Sequence, residues 1–129
     1  MMRLLLDTHT FLWWVDDAPD LSRGARAAIR EPANECLVSL ASCWEIAIKL
    51  SLGKLKLRGA IEHFIPEQLA ANGFQRLEID FRHVVRVARL PFHHRDPFDR
   101  LLAAQALEDK LLIVSADPVF RKYGVRRVW

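Results

Sequence analysis

The sequence contains little cysteine and no long apolar run. Its two cysteines, Cys36 and Cys43, are too few for a disulfide framework and lack the paired spacing of a zinc site. No apolar stretch approaches the roughly 18 to 20 residues that span a bilayer, and only three leucines separate Arg3 from Asp7, which is too short for a signal peptide. We therefore expect no membrane contact and a reducing, cytoplasmic location.

Glycine and proline are also scarce, with 5 and 6 residues among 129, whereas 51% of the residues are apolar. Burial of this much apolar surface can offset the conformational entropy lost on folding, which excludes a disordered chain. The length predicts a single domain over residues 1–129. Lys and Arg exceed Asp and Glu by 19 to 16, and a net charge of +3 does not by itself identify nucleic acid as a partner.

Short apolar runs alternate with helix-compatible segments along the chain. Strands are predicted over residues 3–6, 36–39, 74–79 and 111–114, with an edge strand over 125–129. Helices are predicted over 11–15, 25–30, 40–50, 61–71, 84–90 and 97–109, and a last short helix begins at 117–118. This alternation is typical of an α/β domain in which helices cover both faces of a mostly parallel sheet of four or five strands.

Two aspartates follow predicted strands at the ends where parallel sheets bind ligands. Asp7 comes directly after the first strand, and Asp117 is separated from the fourth strand by Ser115 and Ala116. If these two strands are neighbours, both carboxylates reach the same edge of the sheet. The alternative role is structural, because aspartate often caps a helix and Asp117-Pro118 fits an N-cap followed by a proline at the first helical position.

Glu45 is the only charged residue between Leu37 and Ile48, in a segment predicted to be a buried helix. An unpaired carboxylate in such a helix is costly unless a cation or hydrogen-bond donors meet it, which favours a functional role. The alternative is a structural ion pair with Lys49, one helical turn later.

Two more acids open the helix predicted at residue 97. Asp96 is placed to cap this helix, and Asp99 falls at its third position, where a capping box normally carries Glu or Gln. If Asp96 is the cap, Asp99 is free for another role.

Convergence of the four acids would require protons or cations in the site. Two carboxylates about 4 Å apart repel by about 4 kcal/mol at an effective dielectric constant near 20. Oxygen ligands without cysteine or paired histidine favour Mg²⁺ or Mn²⁺ over zinc. Mg²⁺ held by a few carboxylates keeps several waters, which suits the attack of an activated water on a phosphodiester.

Four segments of the sequence carry a resemblance to a known family. They are Leu5-Leu6-Asp7-Thr8-His9, residues 42–49 (SCWEIAIK) followed by Leu52-Gly53-Lys54-Leu55, residues 96–106 (DPFDRLLAAQA), and Val114-Ser115-Ala116-Asp117. With these segments in this order, the whole chain resembles the PIN-domain ribonucleases, and most closely the VapC toxins of bacterial type II toxin–antitoxin systems. The resemblance implies a PIN-like three-layer α/β/α sandwich, an acidic pocket and metal-dependent hydrolysis of RNA.

Matched residue by residue, the family's four acids fall on Asp7, Glu45, Asp99 and Asp117. The resemblance implies that Asp7 and Asp99 hold Mg²⁺ or Mn²⁺ most directly, and that the other two acids bind a second ion or orient water. Thr8 matches a hydroxyl residue that supports the first acid, and Ser115 matches a position where the family often has Thr. Asp96 is interpreted as a helix cap, with an outer metal ligand as the alternative.

The resemblance also implies two protein partners. Family members usually dimerise, and their antitoxin commonly places a basic or aromatic segment over the acidic pocket, so we expect a homodimer inhibited by a VapB-like protein. Within the sequence, Trp13-Trp14 hints at an interface, because adjacent helical residues differ in direction by about 100° and cannot both face one core. Half-burial of both rings is the alternative.

Basic residues close to the acids are candidate contacts for RNA phosphates. They are His9, Arg95, Arg100 and Arg121. A solvated surface is the alternative for those on helices. His93-His94 lacks a second pair of ligands and is interpreted as part of a loop rather than as a metal site.

Two other functions compete with a Mg²⁺- or Mn²⁺-dependent endoribonuclease. A doubly wound phosphatase also places an aspartate after its first strand, but such enzymes commonly use Asp-x-Asp where this chain has Asp7-Thr8-His9. The other alternative is a module that binds RNA through its basic residues without cutting it.

Overall fold

A five-stranded sheet, in which every strand is parallel to its neighbours, forms the centre of the computed structural model, which describes residues 1–129. The strands are β1 (Arg3–Leu6), β2 (Glu35–Ser39), β3 (Gln75–Leu77), β4 (Leu112–Val114) and β5 (Arg127–Val128). Their order across the sheet is β3-β2-β1-β4-β5. Strands β1 and β4 are therefore neighbours, as the convergence of Asp7 and Asp117 requires.

Seven helices connect and follow these strands. They are α1 (Thr8–Val15), α2 (Arg23–Arg30), α3 (Leu40–Ser51), α4 (Ile61–Asn72), α5 (Phe81–Arg89), α6 (Pro97–Asp109) and α7 (Val119–Lys122). The predicted alternation of strands and helices is confirmed. None of the seven helices has the length and the apolar composition needed to cross a bilayer.

The side chains of β1 alternate between two separate apolar cores, as the two-residue period of a strand dictates. Leu4 and Leu6 pack with residues of α1, α2 and α4 on one face of the sheet, including Phe11. Leu5 packs on the other face with residues of α6 and α7, including Phe120. The two cores make the three-layer α/β/α sandwich that the resemblance implies.

Several element boundaries differ from the prediction, among them the starts of α1, β3, α5 and α7. Strand β3 starts at Gln75, since the N–H of Phe74 donates to the Leu69 carbonyl at the end of α4. Helix α7 starts at Val119 and not at Pro118, which has helical backbone angles but supplies no side-chain cap.

Helix α3 is not buried all round, contrary to the prediction. Glu45 and Ile46 face the interior, whereas Trp44 is 57% exposed and Ala47 is exposed. The helix packs against β2, α1 and α6 on one side only, which leaves the Trp44 side in solvent.

Trp13 and Trp14 are both half-buried against the core that contains Phe11. Trp13 packs on Trp129, and Trp14 donates its indole N–H to Asn72 at 2.9 Å. This is the alternative stated for the pair, so their spacing is explained without an interface.

Candidate active site

Asp7 and Asp117 lie at the carboxyl ends of the neighbouring strands β1 and β4. Asp7 is buried and caps α1, accepting the N–H of Thr10 at 2.8 Å through one carboxylate oxygen, while its other oxygen has no protein partner. Asp117 accepts the N–H of Val119 at 2.9 Å and donates its own N–H to the Ser115 hydroxyl at 3.0 Å. Ser115 thus holds the turn that carries Asp117. Asp7 is the cap of α1, whereas Asp117 accepts an N–H at the start of α7 without being its cap, a position that Pro118 takes.

Glu45 reaches the same region from α3 and is 7% exposed. One of its oxygens accepts from the Thr8 hydroxyl at 2.7 Å, and the other lies 3.0 Å from the Lys49 ammonium group. The ion pair stated as the structural alternative is therefore present. The ammonium group and the hydroxyl together offset the cost of burying this carboxylate.

The resemblance implies that Thr8 supports Asp7, the first acid. In the structure its hydroxyl instead supports Glu45, the second acid. Its hydroxyl lies 2.7 Å from Glu45 and 2.9 Å from the Ser42 hydroxyl, and all three groups are buried. A hydroxyl has a single proton, so Thr8 donates to the carboxylate and accepts from Ser42. The difference arises because Thr8 faces α3 from the first turn of α1, which spacing along the chain does not reveal.

Replacement of Thr8 by Val leaves two buried groups without their partner. The Glu45 oxygen loses its donor and Ser42 loses its acceptor, so we expect Thr8→Val to lower the free energy of unfolding by about 1–3 kcal/mol. Thr8→Ser keeps the hydroxyl and is the matched control. Equal stability of the Val and Ser variants in urea unfolding would contradict this role for Thr8.

Asp99 lies in the first turn of α6, whose cap is Asp96. One oxygen of Asp96 accepts the N–H groups of Phe98 at 2.8 Å and Asp99 at 3.3 Å. The structure thus places Asp96 in the capping role that the sequence favours. The Asp99 side chain is left free to enter the site.

His94 joins Asp99 to Asp117. Its Nε2 lies 3.0 Å from Asp99 Oδ2 and 3.8 Å from Asp117 Oδ2, and the three ligating atoms lie within 4.8 Å of one another. The N–H of Arg95 donates to its Nδ1 at 3.1 Å, which places the ring proton on Nε2. In this form His94 donates to the Asp99 carboxylate and orients it.

The interpretation of His93-His94 as mere loop missed the role of His94. The two residues do lie in the loop between α5 and α6, but the His94 ring turns into the acidic site. The signal available in the sequence was its distance of only two residues from Asp96, the cap that fixes the start of α6 at this edge of the sheet.

Burial raises the pKa of Asp99 to about 7, and the carboxylates of Asp96, Asp7 and Glu45 act in the same direction while His94 opposes them. Mutual repulsion of this kind requires proximity. These acids lie at the end of β1, in α3 and at the start of α6, and with a pKa of about 7 close to half of the Asp99 carboxyls keep their proton at neutral pH. A bound cation would remove this penalty.

The four basic candidates divide into two kinds. His9, Arg95 and Arg121 are exposed, and no ion pair engages either arginine. Arg100 instead donates to the carbonyls of Pro91 at 3.0 Å and Val87 at 3.2 Å, and its guanidinium lies 4.7 Å from the centre of the Phe92 ring. It therefore anchors the loop that carries His94.

Comparisons with known proteins bear on the family and the fold of this chain. The family model for the PIN domain matches residues 4–126. Ribonuclease VapC16 of Mycobacterium tuberculosis is 35% identical over 66 residues, which are 51% of this chain and 47% of that protein. The match thus spans about half the length of this curated relative.

Three solved structures share the fold over nearly the whole chain. VapBC2 from Rickettsia felis, bound to a DNA fragment from its promoter, has a TM-score of 0.73 at 13% identity, covering 98% of this chain and 97% of its own. DNA-bound VapBC from Salmonella typhimurium has a TM-score of 0.69 at 17% identity, with the same coverage. VapBC-1 from nontypeable Haemophilus influenzae has a TM-score of 0.65 at 14% identity, covering 98% and 96%.

The family match includes all four acids and four of the five strands, apart from the first residue of β1, and it ends just before the edge strand β5. Identities below 20% limit the likeness to the solved structures to the fold. The family match itself extends over nearly the whole chain. The chain belongs to the PIN-domain family.

Proposed function

We propose that this protein is a Mg²⁺- or Mn²⁺-dependent endoribonuclease and the toxin of a VapBC-type toxin–antitoxin pair. The observation that carries the proposal is that acids from separate elements meet at one sheet edge. Carboxylate oxygens of Asp99 and Asp117 lie within 4.8 Å of each other, and the hydroxyl of Thr8, the residue after Asp7, donates to Glu45 at 2.7 Å. Family membership and the 35% identity to a protein named as a ribonuclease support the same activity.

The donor chemistry of the site fits a divalent cation. The candidate ligands are carboxylate oxygens, which hard cations such as Mg²⁺ prefer. Asp7 has an unpartnered oxygen, and the pKa of Asp99 is raised by burial and by the neighbouring carboxylates, which His94 opposes only in part. We therefore assign Asp7 and Asp99 as the principal ligands. Asp117 and Glu45 bind a second ion or orient water.

When bound, a divalent cation lowers the pKa of a coordinated water and offsets the charge that develops on the phosphate. The chain supplies the positioning. The N–H of Thr10 donates to Asp7 and fixes it as the cap of α1. The imidazole N–H of His94 orients Asp99, and Lys49 holds Glu45. Carboxylates fixed in this way would hold the cation, and the water that it activates, in a defined position relative to the phosphodiester bond.

The exposed guanidinium groups of Arg95 and Arg121 are assigned to RNA phosphates on either side of the cut, and exposed His9 is a further contact. Arg100 takes part indirectly, since it anchors the His94 loop.

The proposed protein partners are a VapB-like antitoxin and a second copy of the chain. The shared fold with VapBC complexes of three bacteria supports the antitoxin. A cytoplasmic location completes the proposal, because both cysteines are free thiols, as in a reducing compartment.

Removal of metal tests the proposed activity directly. We expect the purified protein to cut single-stranded RNA internally with Mg²⁺ or Mn²⁺, and EDTA to abolish the cleavage, because Asp99 and its neighbours then lack the cation that activates water. The products are followed on denaturing gels, and excess Mg²⁺ added after EDTA should restore them.

Each competing function has its own outcome in this experiment. Undiminished cleavage in EDTA would refute metal dependence. An RNA gel shift that leaves the RNA intact with both metals would favour the binding module. Hydrolysis of a phosphomonoester such as p-nitrophenyl phosphate, without RNA cleavage, would favour the phosphatase.

A further inference from the structure

Trp44 is a large aromatic side chain that stays exposed beside the acidic site. It is 57% exposed, although Glu45, the next residue, is 7% exposed. The other three tryptophans are at least half-buried. Exposure of an indole to water is unfavourable, so exposure of this ring beside a site acid indicates a role other than packing.

Phe98 holds the indole in place. The two rings pack edge to face with centroids 5.1 Å apart, which is a favourable arrangement for aromatic pairs. Phe98 is itself fixed in the first turn of α6, where its N–H donates to the Asp96 cap at 2.8 Å. Contact at one ring edge restrains the indole and leaves much of its surface open.

The aromatic pair is continuous with two of the four acids. Glu45 directly follows Trp44 in α3, and Asp99 directly follows Phe98 in α6. The two helices pack against each other at this point. Although Trp44 and Glu45 point in different directions, the contact with Phe98 holds the indole at the start of α6, beside Asp99.

We propose that Trp44, held by Phe98, stacks on a nucleobase adjacent to the scissile phosphate and thereby positions the RNA at the acids. The inference rests on the proposed ribonuclease function and adds a positioning residue to it. Every base has a π-face that an aromatic ring can bind, so such stacking tolerates many sequences. A base inside a duplex is already stacked on both faces, so the indole cannot stack on it.

A single exposed ring favours a nucleobase over a protein surface. Along α3 the next large exposed apolar residue is Leu52, beyond the opposite end of the helix. A stable protein interface needs about 800 Å² from each partner, spread over about 20 residues. Within α3, one indole flanked by the small, exposed Ala47 does not provide such a patch.

Binding of RNA tests the inference in the full-length protein. We measure fluorescence anisotropy of a fluorescein-labelled single-stranded oligoribonucleotide of about 12 nucleotides and mixed sequence, using Asp7→Asn chains so that the probe stays intact. We expect Trp44→Ala to weaken binding by about 5- to 150-fold, the range that corresponds to loss of one base stack, and Trp44→Phe to retain most of it. Leu52→Ala, an exposed apolar truncation at the far end of α3, should bind normally.

Cleavage kinetics with Asp7 intact separate stacking from chemistry. Trp44→Ala should raise KM for single-stranded RNA with little change in kcat, and an abasic nucleotide beside the cut should remove the difference between this variant and wild type. A Trp44→Ala variant that binds and cuts as wild type would overturn the inference. A smaller assembly mass for Trp44→Ala than for wild type in analytical ultracentrifugation would also overturn it, because Trp44 would then contact a second copy of the chain.

Failure of the inference is distinguishable from failure of the proposed function. Wild-type protein that binds RNA through Trp44 but does not cut it with Mg²⁺ or Mn²⁺ refutes the nuclease and supports the stacking site. Wild-type protein that cuts RNA independently of Trp44 supports the nuclease and refutes the stacking site.

Discussion

Asp7→Asn and Asp99→Asn should each lower RNA cleavage by the Mg²⁺- or Mn²⁺-loaded protein at least about 100-fold. Asparagine has the shape of aspartate but not its charge, so each change removes the group that binds the cation. The amide oxygen at residue 7 still accepts the N–H of Thr10, which preserves the cap of α1. The loss is therefore chemical and not a consequence of unfolding, as circular dichroism should show.

Asp96→Asn is the matched control for these variants. Asp96 is also an acid near Asp99, but its oxygen caps α6, and an asparagine oxygen can do the same. We expect cleavage within a few fold of wild type. Wild-type cleavage by both Asp7→Asn and Asp99→Asn would refute the assignment of the site. A loss in Asp96→Asn as large as in Asp99→Asn would instead identify Asp96 as an outer metal ligand.

Placement of the acids was predictable because it follows from backbone rules. Asp7 and Asp117 come after short apolar strands, and ligands bind beyond the carboxyl ends of parallel strands. The order of the strands required tertiary information, since spacing does not say that β1 and β4 are neighbours. The family resemblance supplied the site as a whole, including Glu45 on α3.

The contacts of individual side chains were not predictable in the same way. Thr8 bonds to Glu45 because α1 and α3 pack side by side, and His94 reaches Asp99 because Arg100 anchors the start of the loop that carries His94. Both depend on where loops and rotamers settle after the sheet has formed. The exposure of Trp44 was missed for a related reason, because the apolar pattern of α3 does not show which side lacks a packing partner.

The same crowding that fits the site for metal should destabilise the metal-free protein. Burial and the neighbouring acids raise the pKa of Asp99 from 3.8 to about 7. Between these values the unfolded chain releases this proton and the folded chain retains it, so the contribution of Asp99 to stability falls as pH rises from about 4 to about 7. Above pH 7 the penalty is complete. Asp99→Asn removes it, since an amide does not ionise.

We therefore expect Asp99→Asn to be more stable than wild type at pH 8 in EDTA, by at least about 1 kcal/mol or roughly 3 °C in Tm. The advantage should shrink towards pH 4, where Asp99 is protonated in both states. Thermal melts across this pH range measure it, and Asp20→Asn, at an exposed aspartate that forms no ion pair, is the control with no comparable gain.

Addition of Mg²⁺ should reverse the order of the two proteins. A cation that binds only the folded state stabilises it by mass action, so Mg²⁺ should raise the Tm of wild type and leave that of Asp99→Asn nearly unchanged. A variant less stable than wild type in EDTA at pH 8 would show that the Asp99 carboxylate is a favourable structural group. A variant more stable than wild type would show that the charge of Asp99 destabilises the metal-free fold, as expected of a residue retained for function.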